Sequence, residues 1–138
     1  MMIAEIARKR VATVAPDETI AAAARRLEEQ DTDVLVVTVE QRPCGMVSAR
    51  QIALAVAARG IAPDTPIRDI MTHDTLAVEE EDFIFTAERY MTDRRVRQLP
   101  VVDSLGRLSG LVMYEDLLLH MASERLERMR ESQDRTDA

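Results

Sequence analysis

The segment VRQLPVVDSLGRLSGLVMYEDLL, Val96 to Leu118, reads as a hairpin that feeds directly into a helix. Gln98 to Val102 is short, apolar and rich in β-branched residues, as a buried strand requires. The turn DSLG, Asp103 to Gly106, reverses the chain, and Arg107 to Met113 is the return strand. From about Tyr114 an apolar helical period begins, with Glu115 and Asp116 in the first turn where the helix dipole favours acids.

The same signals occur once before. At an offset of 64, Val14 falls on Val78, Ile20 on Ile84, Ala23 on Ala87, Leu27 on Met91, Leu35 on Leu99 and Val37 on Val101; after the turn the offset is 65, placing Gly45 on Gly110, Val47 on Val112 and Ile52 on Leu117. One residue has been gained or lost in a turn. The chain is therefore an internal repeat, and everything else is read in that frame.

In the first half, Val11 to Val14 is a short extended piece closed by Pro16 and Asp17. Ile20, Ala23, Ala24 and Leu27 follow at helical spacing, with Arg25, Arg26, Glu28 and Glu29 on the outer face. VLVVTV, Val34 to Val39, is apolar on both faces and reads as a buried strand. The turn EQRP, a strand from Cys44 to Ser48 and a helix from about Arg50 to Arg59 stopped by Gly60 complete it. The second half has Leu76 to Val78, a helix over Asp82 to Asp93, the hairpin and the final helix. The predicted architecture is α+β or α/β, two pseudo-symmetric β-α-β-β-α repeats packed sheet to sheet. Repeat 1 spans 1–62 and repeat 2 spans 63–122, with a proline-bearing linker over 61–70 and a helical extension and tail over 123–138. A unit of about 60 residues buries too little surface alone, so one globule is expected.

Composition narrows the function. The chain has 138 residues, 46% apolar and 31% charged, and a net charge of −7. That sign argues against gripping nucleic-acid backbone, and two Phe, two Tyr and no Trp leave little for stacking bases. The longest apolar run, Ile52 to Ala58, is far short of a membrane span, and MMIAEIARKR does not read as a secretory signal. A cytoplasmic location, with no nucleic acid and no membrane insertion, is the expectation. The lone Cys44 excludes an internal disulfide and reads as a small core residue, while His73 and His120 lie in different repeats without companion ligands, so no metal site is expected. No nucleophile, base and oxyanion donors assemble in the pattern, so no enzyme is expected.

The two halves resemble a tandem pair of cystathionine-β-synthase (CBS) domains, the regulatory unit called a Bateman module, from Ala4 to about Met121. The resemblance rests on IMTHDTLAV, VRQLPVVD and GRLSGLVMYEDLL in the second half and on TVAPDETIAAAARRL and GMVSARQIA in the first. It implies a module that binds AMP, ADP, ATP, NAD or S-adenosylmethionine between repeats and signals to an attached or partner protein. The family pattern G-h-h-[Ser/Thr]-x-x-[Asp/Asn] offers a hydroxyl and a carboxylate to ribose. GMVSARQ keeps the hydroxyl at Ser48 but has Gln51 at the acidic place, whereas GLVMYED keeps Asp116 but has Met113 at the hydroxyl place. In the gamma subunits of the AMP-activated kinase, basic residues before the proline strand reach ligand phosphates. Arg97 matches that position, and its counterpart in the first copy is Asp33. The implied ligand-binding set is Thr13, Ser48, Gln51, Arg97, Met113 and Asp116, with Arg94 and Arg95 adding positive field.

In the last helix Leu119, Ala122, Leu126 and Met129 recur at three, four and three, a stripe that either folds back on its own module or docks on a second chain. The family's disc-like pairs make a homodimer the preferred picture. Two functions stay open on the residues alone: a stand-alone sensor of an adenosine nucleotide acting on an unknown effector protein, or a ligand-free dimerisation and interaction scaffold.

Overall fold

Two small sheets face each other and carry their helices on the outside. The computed structural model describes residues 1–73 and 76–137, with side chains as far as 135; Asp74 and Thr75 of the IMTHDTLAV string and Ala138 of the tail lie outside these. The elements run β1 (Thr13–Val14), α1 (Ile20–Gln30), β2 (Val34–Val39), β3 (Arg42–Ser48), α2 (Ala49–Ala53), β4 (Thr72–His73), β5 (Val78–Glu79), α3 (Ile84–Arg94), β6 (Gln98–Val102), β7 (Leu108–Met113) and α4 (Tyr114–Asp137). The first sheet has the order β1-β2-β3-β4 and the second β5-β6-β7. In each sheet the leading short strand is parallel to the long one, and the hairpin is antiparallel. The mixed α+β, two-repeat architecture is as the repeat pattern implies.

Alternation along β2 shows how the layers form. Leu35 and Val37 point toward α1 and join Ile20, Ala23 and Leu27, while Val34 and Val36 point the other way and meet Leu111 of the second sheet. All four valine and leucine side chains are buried, which is why this strand is apolar on both faces. Met46, Met113 and Val11 close the seam between the sheets. The second repeat has its own core of Val78, Ala87, Met91, Leu99, Val101, Val112 and Leu117. Each fully buried valine or leucine contributes about 1.5–3 kcal/mol, so the seam stabilises the pair as one unit.

Helix ends follow local chemistry. Thr19 Oγ1 accepts the Ala22 amide at 3.1 Å to start α1. Asp31 and Arg95, at equivalent places in the repeats, end α1 and α3 in the left-handed region with φ of 49° and 56°. The first hairpin is tighter than EQRP suggests. Glu40 and Gln41 both have positive φ, making a two-residue turn, so β3 begins at Arg42 and Pro43 sits beside a register shift after Val37. The helix read from Asp82 starts later, because Glu79 closes β5, its amide donates to the Asp82 carboxylate at 2.9 Å, and α3 begins only at Ile84. The second helix is α-helical only to Ala53 and continues as a π turn through Ala58 before Gly60, at φ 69°.

The segment read as a linker is structural. Ile67 is fully buried in the first core with Ile70 and Met71 against it, and its amide donates to the Glu18 carbonyl at 2.8 Å. Thr72 and His73 then add β4 to the first sheet. The chain start behaves the same way toward the other repeat. Ile3 is fully buried in the second core, its amide bonds the Asp82 carbonyl, and Arg8 exchanges both backbone hydrogen bonds with Leu111 at 2.9 Å. Each sheet is thus completed by the segment that precedes the other repeat.

Candidate functional site

Both inner hairpins hand over to a helix with no intervening loop, β3 at Ser48 into α2 and β7 at Met113 into α4. The backbone amide of Ala49 bonds the Asp33 carbonyl at 2.9 Å, and that of Tyr114 bonds the Arg97 carbonyl at 2.8 Å. This tie fixes the backbone just ahead of β2 and β6 and leaves the Asp33 and Arg97 side chains exposed. The two repeats enclose two clefts, which a strict two-fold would make equal; here they differ in size and charge.

The larger cleft holds about 590 Å³ and is walled by Val34 and Met46 on one side and Val96 and Leu99 on the other. Ser48 and Gln51 reach it from the first repeat, and Arg97 reaches it from the second. Arg50, Arg94 and Arg95 also line it, and among the described residues no Asp or Glu does. The cleft is therefore a basic site on a chain of net charge −7. Thr72 and His73 of β4 form its floor, with His73 Nε2 3.0 Å from the Arg68 carbonyl oxygen.

Ser48 and Gln51 form a reciprocal cap on α2. Ser48 Oγ accepts the Gln51 amide at 3.1 Å, and Gln51 Oε1 accepts the Ser48 amide at 2.9 Å. Gln51 Nε2 donates to Thr72 Oγ1 at 2.9 Å, which binds α2 to β4. The pair is thus rigidly placed, and the Ser48 hydroxyl can still donate into the cleft.

The smaller cleft, about 240 Å³, is lined by Arg8, Arg10, Val11, Asp31, Thr32 and Met113 among others. Met113 has no hydroxyl to form the matching cap, and Asp116, in the first turn of α4, has a different partner. Arg8 Nε donates to Asp116 Oδ2 at 2.8 Å and Nη2 to Oδ1 at 3.2 Å. The Asp116 hydrogen bond is the main reason the Arg8 guanidinium pKa is raised further. The chain start is thereby clipped to α4, and the carboxylate faces a cation rather than an open cleft.

The six residues of the sequence reading therefore fall in three places. Ser48, Gln51 and Arg97 come together in the larger cleft, Met113 lines the smaller one, and Asp116 lines neither but is bound to Arg8 at the edge of the smaller. Thr13 lies apart, on β1 at a shallow depression of about 270 Å³ shared with Lys9, Thr38 and Ser109, and its carbonyl accepts from Arg26 at 2.9 Å. Sequence reasoning missed Arg50, Thr72 and His73, and it missed Arg8 as the partner of Asp116. The available signal was that Ile3, Ile67 and their followers obey the same 64-residue offset as the rest of the repeat. Cys44 is partly buried, and burial pushes its thiol pKa up, which agrees with packing rather than nucleophilic duty. Among the described residues no group of three His, Cys, Asp or Glu side chains is placed to hold a metal.

Comparison with known proteins places these features in a family. A CBS domain model matches residues 3–58 and 67–123. The uncharacterized protein MK0525 of Methanopyrus kandleri is 35% identical over 118 residues, which is 84% of this chain and 60% of that one; the chain thus spans less than two thirds of that relative. The CBS domain-containing protein YhcV of Bacillus subtilis is 30% identical over 82% of this chain and 80% of its own length. Among solved structures, the CBS domain protein PAE2072 of Pyrobaculum aerophilum, complexed with AMP, superposes with a TM-score of 0.79 at 24% identity, covering 89% of this chain and 99% of that one.

Proposed function

The chain belongs to the CBS domain family, and from that premise we propose that it is a regulatory rather than catalytic module that binds an adenosine-containing ligand in the larger cleft. The observation that supports this most is the meeting of Ser48 and Gln51 from one repeat with Arg97 from the other in one cleft of about 590 Å³, within the usual size of a small-molecule site. The apolar walls suit an adenine, the Ser48 hydroxyl suits a ribose, and the arginines suit phosphate. The AMP held by the Pyrobaculum protein of the same fold supports the ligand class. Because the cleft is built from both repeats, occupancy favours one packing of the repeats over others and so carries a signal to an effector protein.

The module pairs with a second copy. Phe85, Leu118 and Ala122 line an open groove between α3 and α4, and Phe83, Leu119, Leu126 and Met129 are more than half exposed nearby. The stripe on α4 does not fold back on its own module. The same exposed face favours the second reading, a ligand-free scaffold. Among the described residues no helix is long and apolar enough to cross a membrane.

Titration calorimetry and thermal unfolding with AMP, ADP, ATP, NAD and S-adenosylmethionine test the reading. A ligand at about 100 times its dissociation constant adds about 2.7 kcal/mol, a shift of several degrees. A shift that S48A or R97A diminishes supports the sensor. No heat and no shift with any of the five rejects it in favour of the scaffold, and a monomer in sedimentation rejects the pairing.

A further inference from the structure

The two clefts differ in charge as much as in volume, and this bears on which ligand is held. Arg50, Arg94, Arg95 and Arg97 converge on the larger cleft from the start of α2, the end of α3 and the approach to β6. Where the family motif has an acid, Gln51 is neutral, so no described carboxylate opposes them. The smaller cleft has Asp31 in its lining and Arg8 already paired with Asp116. We propose that the larger cleft selects its ligand by anionic charge, taking one adenine nucleotide with two or more phosphates per chain and rejecting the cationic S-adenosylmethionine. This rests on the adenosine-ligand reading above and sharpens it.

The physical argument has two parts. Guanidinium groups on exposed side chains act through a largely aqueous path, so each added phosphate charge gains a modest, salt-sensitive increment of about three- to tenfold in affinity. A sulfonium ligand meets the same four cations with the opposite sign and loses a comparable factor. At Gln51 no carboxylate offsets the arginines for such a cation, and Asp116, the acid of the second copy, is occupied by Arg8.

The test is calorimetric titration of the full chain, in metal-free buffer, with adenosine, AMP, ADP, ATP and S-adenosylmethionine at 20 and at roughly 500 mM salt, a range over which the screening length falls severalfold. The expected result is affinity rising along the phosphate series, compression of that series at high salt, S-adenosylmethionine weaker than adenosine, and one ATP per chain. R97A should lose about tenfold for ATP and less for AMP, whereas R130A, an equal charge change on the far end of α4, should leave the series intact. Equal affinities for AMP and ATP, S-adenosylmethionine binding as tightly as AMP, or two ATP per chain would overturn the inference while leaving the adenosine-ligand reading standing. No binding by any of the five or by NAD overturns both.

Discussion

Glu18 illustrates how much one side chain organises. Its carboxylate accepts two hydrogen bonds from Arg26, at 2.8 and 2.9 Å, and one from the Ala15 amide at 2.8 Å, while Arg26 also donates to the Thr13 carbonyl at 2.9 Å. These contacts, Arg26 first and Ala15 second, hold the Glu18 pKa at about 2 against an ordinary 4.5. Folding lowers this pKa, so the contribution is fully present above pH 4.5 and fades as the pH falls from there toward 2. Each side chain keeps 32% of its exposure, so solvent screening reduces the contribution to about 1 kcal/mol. E18Q should lose that amount in urea denaturation at pH 7, and the two proteins should converge in stability toward pH 2. Asp116 sits at the opposite extreme. Its partner Arg8 keeps 55% of its exposure, so D116A should cost less than about 1 kcal/mol of stability. Nucleotide titrations should be unchanged by D116A, because the larger cleft contains no part of this pair. A loss of ligand affinity in D116A would place the ligand in the smaller cleft.

Among the elements, the two glycines that match across the repeats, Gly45 and Gly110, have one physical cause. Each sits on a strand that the exchanged segment crosses. A Cβ on Gly45 would stand 2.6 Å from the Thr72 carbonyl oxygen and 2.9 Å from Met71 Sδ, and one on Gly110 would stand 3.0 Å from the Arg8 carbonyl oxygen. G45A must therefore push β4 away, whereas G110A asks Arg8 to yield by only a few tenths of an ångström. Overpacking of this kind costs about 1–3 kcal/mol. G45A should lower the melting temperature more than G110A and should speed hydrogen exchange in 71–73 specifically. Equal effects would show that β4 is not held by close backbone approach. Helices were readable from the three-and-four spacing of their buried face, and the hairpin strands from short β-branched apolar runs, because β2 is buried on both faces. β4 was not, because a two-residue strand has no period and its signal lies in the apolar triplet Ile67, Ile70 and Met71 before it.

At the scale of the whole molecule, the exchange makes the second repeat depend on the first eight residues. Ile3 has no exposure and sits among Val78, Ala87, Leu99 and Leu117. I3A should cost about 2–5 kcal/mol, as large-to-small changes in a core do. Its unfolding should remain a single transition by both fluorescence-probed and calorimetric melting, because the seam of Val34, Val36 and Leu111 couples the two cores. Two separated transitions would mean that the repeats fold independently.

By itself the sequence determined the repeat, its β-α-β-β-α order, the buried strands and the family resemblance, all of which are local or periodic properties that a linear pattern records. It also singled out Ser48, Gln51 and Arg97 one by one. Only the tertiary structure decided that these three share a cleft and that Asp116 is bound to Arg8, 108 residues away. It also decided that the supposed linker and the chain start each complete a sheet beside the other repeat. The 64-residue offset records that these two segments are equivalent, but which sheet each one joins, and which side chains share a cleft, depends on the surfaces that meet across the seam, which spacing along a chain does not encode.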